Sequence, residues 1–452
     1  MKKDRQFRLA AAILCLAIAG AALASCNRSR ATGQASEKAR IVLASASAEI
    51  AAAQASQAVF SGGVFRIVTG GRFVVSGEHE GQILIEATES DTVELVLDGA
   101  TLYNPNGPAI FAPGSQRVEL VLANGTVNNI SDGRRPDDNA NAAVYVWHDL
   151  LVSGSGTLNV NGNHRHGIRA RGVLTATGGT INATAPSDTV SGRNGVVVEG
   201  GVFELTAGND GIRTDASVTI NGGSVTVTAI GNGINANESV LITGGSVNVI
   251  DSYEGIEGLN VTITGGDVSI FARDDGINAS DFTEPVGGTR GRYGINPNMF
   301  VRIAGGNVRV HGLSDGIDSN GNVFLEGGRL LVSGPSGGGR DAIDMDGTFT
   351  VTGGELVAVG SIRRVSPQST QPVLIASLGR QFAAGSIVEL RDTAGRTVLE
   401  HTGETAFSTL GFTSPAFEPG GAYSIYVDGI RVSNVAITGI VTNAGTGGNR
   451  RL

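Results

Sequence analysis

Residues 222–243 read GGSVTVTAIGNGINANESVLIT, and residues 244–264 read GGSVNVIDSYEGIEGLNVTIT. Laid one under the other, they place Gly222 on Gly244, Val225 on Val247, Val227 on Val249, and Asn232-Gly233-Ile234 on Glu254-Gly255-Ile256. The Gly-Gly pair ahead of a β-branched run also occurs at Gly178, Gly200, Gly265, Gly305, Gly327 and Gly353, so the spacings along the chain are 22, 22, 22, 21, 40, 22 and 26. A second marker, a residue followed by Gly-Ile, runs in phase at His166, Asp210, Asn232, Glu254, Asp275 and Asp315, with Asn194 (Gly-Val) and Asp341 (Ala-Ile) as variants. Two markers sharing one period define a repeat architecture. The 40-residue spacing is one repeat plus an insertion, placed at Asp281 to Asn298.

Inside a repeat, Val218, Ile220, Val225 and Val227 alternate with Thr, Asn and Ser. Period-2 alternation turns the apolar set to one face and the polar set to the other. One repeat cannot bury its apolar face alone, whereas repeats stacked at about 4.8 Å share a continuous core. The fold class expected is therefore all-β, a parallel β-helix over residues 61–362, with a small C-terminal β module over 368–436 and a disordered tail over 437–452. Composition agrees, since 68 Gly and 12 Pro without a collagen period suit many short strands joined by tight turns. A β-sandwich has no reason to hold a 22-residue period.

The N-terminus reads as an export signal. Lys2, Lys3, Arg5 and Arg8 precede an apolar run from Leu9 to Leu23, and the run ends in Leu23-Ala24-Ser25-Cys26, a bacterial lipobox in form. Residues 1–25 are expected to be removed and Cys26 to carry a lipid, with residues 26–60 as a flexible tether to the membrane. Asn27 favours sorting to the outer membrane over inner-membrane retention. Cleavage takes away four positive charges and Asp4, moving the net charge from −9 to −12. Nucleic acid is an improbable partner for such a surface, and an acidic exported protein is a candidate cation binder. With only Cys15 and Cys26, the mature fold has no disulfide and no cysteine metal site.

If repeats stack in parallel, the residue before Gly-Ile forms a column of Asp210, Asn232, Glu254, Asp275, Asp315 and Asp341. The residue after it forms another of Arg213, Asn235, Glu257, Asn278, Asp318 and Asp344. Carboxylates about 5 Å apart repel by roughly 1 to 3 kcal/mol per pair at effective dielectrics of 20 to 80. Hard oxygen ligands in two adjacent columns favour Ca²⁺ over a transition metal. The calcium candidates are Asp210, Glu254, Glu257, Asp274, Asp275, Asn278, Asp315, Asp318, Asp341, Asp344 and Asp346. For any one Asp or Asn before glycine, turn capping explains the residue equally well. Glu254 is a poor turn former and is therefore the most telling of the set.

Tyr253-Glu254-Gly255-Ile256-Glu257-Gly258, the repeated Ile-Thr-Gly-Gly-Ser-Val, Asp274-Asp275-Gly276-Ile277-Asn278 and Ser314-Asp315-Gly316-Ile317-Asp318 resemble a family of bacterial carbohydrate-binding domain proteins. The resemblance covers roughly residues 62–430 and is specific in its middle third. It implies an exported, calcium-binding, right-handed parallel β-helix related to family 9 pectate lyases, with affinity for acidic polysaccharide. Arg213 and His166 depart from a cation-binding pattern.

Family 9 lyases use a lysine base, and this chain has only Lys2, Lys3 and Lys38. That base is absent from the repeats. An arginine base remains the alternative for a lyase, with Arg213, Arg273, Arg302 and Arg340 available; a purely structural surface protein is the other. Aromatic residues are 5% of the chain, which favours charge or calcium over stacking for sugar recognition. Arg213, Arg273, Tyr253 and Tyr293 are the sugar-contact candidates. The function expected is a calcium-dependent, lipid-anchored binder of acidic polysaccharide.

Overall fold

The computed structural model describes residues 39–44, 47–50, 58–134, 140–281, 295–337 and 339–445. The signal segment, Cys26, most of the tether, Tyr293 and most of the insertion lie outside them. Every regular element among the described residues is a β-strand, so the all-β expectation holds.

Three parallel ladders carry the repeats. One aligns Leu174, Val196, Val218, Val240, Val261, Val301, Val323 and Phe349. A second aligns Ile181, Phe203, Val225, Val247, Val268, Val308, Leu330 and Leu356. The third aligns Ile168, Val190, Ile212, Ile234, Ile256, Ile277 and Ile317. All three rows are fully buried in one apolar core. Burying each Val, Leu or Ile is worth about 1.5–3 kcal/mol, which makes the aligned rows the main source of cohesion.

The Gly-Gly pair turns the chain from the first ladder into the second. At Gly245 φ is +78°, a conformation that side chains resist, and a Cβ on Gly244 would stand 2.7 Å from the Asn221 carbonyl of the preceding repeat. Close stacking of backbone on backbone is what fixes both glycines.

Strands beyond the repeats close the ladders. Ala39–Ala44, inside the stretch read as tether, pairs parallel with Gly71–Glu80 and antiparallel with Ser47–Ile50. At the other end, Phe407–Thr413 pairs antiparallel with Glu355–Val359 and with Val373–Phe382. Three strands of the C-terminal region, Val373–Phe382, Phe407–Thr413 and Val441–Gly445, therefore belong to the large sheet, and only Ile387–Asp392, Thr397–Thr402, Ala422–Val427 and Ile430–Ala436 form a sheet of their own. A second core of Val357, Leu374, Leu390, Phe407, Phe412 and Ile425 joins them. The expected tail over 437–452 is corrected for Val441–Gly445, which pairs parallel with Val373–Phe382. Its sequence VTNAG has little apolar alternation, and the strand exists because an open edge is there to pair with.

Candidate functional site

From Ile212 to Ile317, each strand of the third ladder begins at an inward isoleucine. The next residue consequently points outward in register, and the column expected from the sequence forms: Arg213, Asn235, Glu257, Asn278 and Asp318. The bridge between Ile317 and Ile343 brings Asp344 next in line. Two residues before each isoleucine stand Asp210, Asn232, Glu254, Asp275, Asp315 and Asp341, all buried.

That first column is a chain of side-chain to backbone hydrogen bonds. The Asn232 N–H donates to Asp210 Oδ1 at 2.9 Å, Glu254 N–H to Asn232 Oδ1 at 3.3 Å, Asp315 N–H to Asp275 Oδ1 at 2.9 Å and Asp341 N–H to Asp315 Oδ1 at 2.5 Å. Side-chain oxygens of one repeat thus cap the turn of the next. Turn capping and alignment of carboxylates are both present.

The column also runs through a repeat that the Gly-Ile marker skips, between His166 and Asp210. Val190 pairs with Ile212, so the residue equivalent to Asp210 is Asp188, and Asp210 N–H donates to Asp188 Oδ1 at 3.3 Å. Asn194-Gly195-Val196, which matches the marker, belongs elsewhere, because Val196 pairs with Val218 of the first ladder. Thr189 takes the glycine position after Asp188, and its hydroxyl donates to the Gly211 carbonyl at 2.5 Å. His166 precedes Asp188 in the column, with Nδ1 3.2 Å from Asp188 Oδ2. Burial pushes the Asp188 carboxyl up, but His166 and the Asn209 amide outweigh it and hold it below the usual range.

The middle of the column behaves in the opposite way. Burial, and then Glu257, push the Glu254 carboxyl up to about 9, and burial also raises Glu257. Burial raises Asp210 and Asp275 to about 6 and Asp315 to about 7. Glu254 Oε1 accepts from Asn278 Nδ2 at 2.9 Å, Glu254 Oε2 from Asn232 Nδ2 at 3.2 Å, and Glu257 Oε1 from the Ser280 hydroxyl at 2.9 Å. Asn232 Nδ2 also reaches Glu257 Oε2. Among the described residues no arginine or histidine pairs with Glu254, Glu257, Asp275 or Asp315.

Two further observations make this segment a candidate cation site. Glu254, Asp274 and Asp275 each offer a carboxylate oxygen, and the three lie within 4.8 Å of one another. Asn278 Oδ1 is buried with no hydrogen-bond partner, an uncommon and costly state for an amide oxygen. The oxygen-only donor set fits a hard cation.

The acidic end is different. Arg363 Nε stands 2.9 Å from Asp341 Oδ2, so this carboxylate already has a cation, supplied by a residue beyond the last marker. Arg364 Nη1 donates to the Met345 carbonyl at 2.9 Å and to the Asp346 carbonyl at 2.5 Å, and Asp344 Oδ1 accepts the Met345 N–H at 2.9 Å. The carboxylates of Asp341 and Asp344 are thereby engaged with protein groups, and Asp346 through its backbone carbonyl, while Glu254, Glu257, Asp274, Asp275 and Asn278 meet in one place.

The family model of the carbohydrate-binding domain-containing protein matches residues 61–292, just over half of the chain. The chain belongs to this carbohydrate-binding family. A relative from Acetivibrio thermocellus, itself described as a carbohydrate-binding domain-containing protein, is 33% identical over 127 residues, 26% of this chain and 44% of that protein. The match thus spans less than half of that relative's length. A solved structure described as a polysaccharide lyase-like protein from C. thermocellum, a gadolinium derivative, is 22% identical, with a TM-score of 0.35, covering 70% of this chain and 97% of that one.

The remaining sugar-contact candidates of this carbohydrate-binding family member fall apart spatially. Arg273 is held by Asp251 at 3.2 Å and by the carbonyls of Ser252, Ala229 and Ile230 at 3.1, 3.0 and 2.7 Å, bracing three repeats from outside. Arg302, one of the arginines available as a lyase base, pairs with Glu326 and lies 4.5 Å over the Phe324 ring. Tyr253 is half exposed beside Asp274, whose hydrogen bond holds the phenol above its usual range. Arg213 donates to Asn235 Oδ1 at 2.5 Å and Asn237 Oδ1 at 2.8 Å, at the mouth of a cavity of about 180 Å³. That cavity also takes in Arg165, Arg169 and Arg193, which sequence reasoning missed. The only signal was spacing: Arg169, Ser191 and Arg213 recur every 22 residues, without a shared motif.

Proposed function

We propose that this carbohydrate-binding family member is an exported, lipid-anchored, right-handed parallel β-helix that binds acidic, uronate-containing polysaccharide with the help of calcium. The observation that carries the reading is the meeting of Glu254, Asp274 and Asp275 within 4.8 Å, beside Glu257 and the unpartnered Asn278 Oδ1. Buried carboxylates so close repel unless a proton or a cation stands between them. Calcium, when bound, would supply charge for the carboxylates and for an anionic sugar together. The chain's own part is to hold Glu254 and Glu257 through Asn232, Asn278 and Ser280, and to keep the cluster out of bulk water. Handedness follows the rule that crossovers between parallel strands of one sheet are right-handed in about 98% of cases. Export and anchoring rest on Leu23-Ala24-Ser25-Cys26, and with a lipid on Cys26 the outer membrane is the proposed location.

A panel of galacturonan, alginate and cellulose, run with and without EGTA, tests the reading. Binding to the acidic polymers that chelation abolishes, with no rise in ultraviolet absorbance from unsaturated uronide, is the expected result. A rise would replace a binder with a lyase, and calcium-independent binding throughout would remove the metal from the mechanism.

A further inference from the structure

We infer that the cavity between Arg169 and Arg213 is a second sugar subsite, one that takes a carboxylate or sulfate group directly, without calcium. The register sets it up. Arg169, Ser191 and Arg213 occupy successive strands of the third ladder on the same outward row. The two arginines therefore stand two strand spacings apart, about 10 Å, and the short Ser191 between them leaves room. That room is the cavity of about 180 Å³.

Arg169 is held by neutral partners, and Arg213 by two amides with the Asp215 carboxylate 3.9 Å from its Nη2. Arg169 Nη1 donates to Asn141 Oδ1 at 3.0 Å and to His166 Nε2 at 3.1 Å, and Arg213 donates to the Asn235 and Asn237 amide oxygens. An amide oxygen orients a guanidinium without cancelling its charge. With Nε2 accepting, the His166 ring carries its proton on Nδ1, toward Asp188. Arg169 Nε is buried and has no hydrogen-bond partner, a donor left for something that enters the cavity. Leaving such a donor unmet is unfavourable, more so for a charged group.

The charge of the lining agrees. Arg165, Arg169, Arg193 and Arg213 line the cavity with Asp188 and Asp215, four arginines against two carboxylates, with Arg193 Nε 3.4 Å from Asp215 Oδ2, in a chain whose net charge is −9. A guanidinium fork matches planar or tetrahedral oxyanions through paired hydrogen bonds. The subsite rests on the carbohydrate-binding reading, and it adds a metal-free contact a few strands from the acidic cluster.

The test is calorimetric titration of the intact chain in EGTA, with trigalacturonate in one arm, its methyl ester in a second and a sulfated trisaccharide in a third. Wild type is expected to bind at least one anionic probe and not the ester, and the arm that binds names the group. Arg169→Gln with Arg213→Gln should weaken that binding by about tenfold or more, the loss of one charge-assisted pair. Glu254→Gln with Glu257→Gln should abolish any gain on adding calcium. Should the double arginine variant fail to fold, Arg193→Glu at the exposed rim should still weaken binding at unchanged melting temperature. No EGTA-resistant binding of either anion, or binding that the arginine substitutions leave intact, would overturn the subsite. Loss of the calcium-dependent fraction alone would bear on the acidic cluster and not on this cavity.

Discussion

The outward row of the third ladder changes character halfway along. From Tyr145 through Arg169 and Ser191 to Arg213 it is aromatic and basic; from Asn235 through Glu257 and Asn278 to Asp318 it is amide and acidic. Backbone register and an inward row of valine and isoleucine are shared by both halves. The scaffold therefore dictates where a side chain stands and leaves its chemistry open, and one row can present opposite charges to one long ligand. Tyr145, next in register to Phe111, is buried, stacked on that ring at 5.8 Å and bonded by Arg171 Nε at 2.7 Å, so it braces the basic half and offers no open sugar platform.

The sharpest way to break the acidic half is to remove its two glutamates. Glu254→Gln with Glu257→Gln is expected to stabilise the calcium-free protein at pH 8 by about 1 to 4 kcal/mol, since one unit of pKa shift is worth about 1.4 kcal/mol. The same variant should lose most of the calcium-induced rise in melting temperature. Differential scanning fluorimetry with and without calcium reads both, and an undiminished rise would take the two residues out of the metal site.

Glycine after the column residue is the next point of attack. A Cβ on Gly233 would stand 2.6 Å from the Gly255 carbonyl and 2.8 Å from Val249 Cγ1, so Gly233→Val is expected to cost about 2–3 kcal/mol in denaturant melts. At the equivalent place in the basic half, Thr189→Gly loses one hydroxyl bond and should cost about 1 kcal/mol. Equal costs at the two places would mean that the halves do not stack as tightly as described.

The pH response separates the halves as well. Asp210, Asp275, Asp315 and Glu254 have carboxyls raised to about 6, 6, 7 and 9. For these groups the stability is complete below the unfolded value near 4 and is lost as pH climbs through the raised values. Asp188, held low, contributes stability that is present above that value and lost on acidification. Calcium-free protein should therefore melt several degrees lower at pH 9 than at pH 5, with His166→Ala removing stability at neutral pH and little at pH 3. A melting temperature that rises steadily from pH 5 to pH 9 would contradict the burial of the acidic half.

Most of the ladder was legible because its causes are local and recur. Gly244-Gly245 must be glycine for backbone contact, and Val225 and Val227 must alternate to reach the core. The acidic column was legible wherever Gly-Ile follows it. It was lost at Asp188, where Thr189 fills the glycine position with a hydroxyl bond that no pattern announces, and Asn194-Gly195 supplied a decoy in another ladder. Arg363, which neutralises Asp341, lies past the last repeat, where periodicity gives no address. The Arg169–Arg213 cavity was invisible for a further reason: it is made by what Ser191 leaves out. Val441–Gly445 and Ala39–Ala44 owe their strands to a waiting edge rather than to their own composition.

The sequence separation between paired strands also bears on how the chain acquires its structure. Adding a repeat to a formed neighbour closes a loop of 22 residues at Val218↔Val240, and again at Val301↔Val323. Between Val261 and Val301 the separation is 40, nearly double, which raises the entropic cost of closure by about 0.5 kcal/mol. Zippering from either side is thus expected to pause there, dividing the repeats into two kinetic blocks. Pulsed hydrogen exchange during refolding would show the amides of Val261 and Val301 protected last, directly beside the acidic cluster.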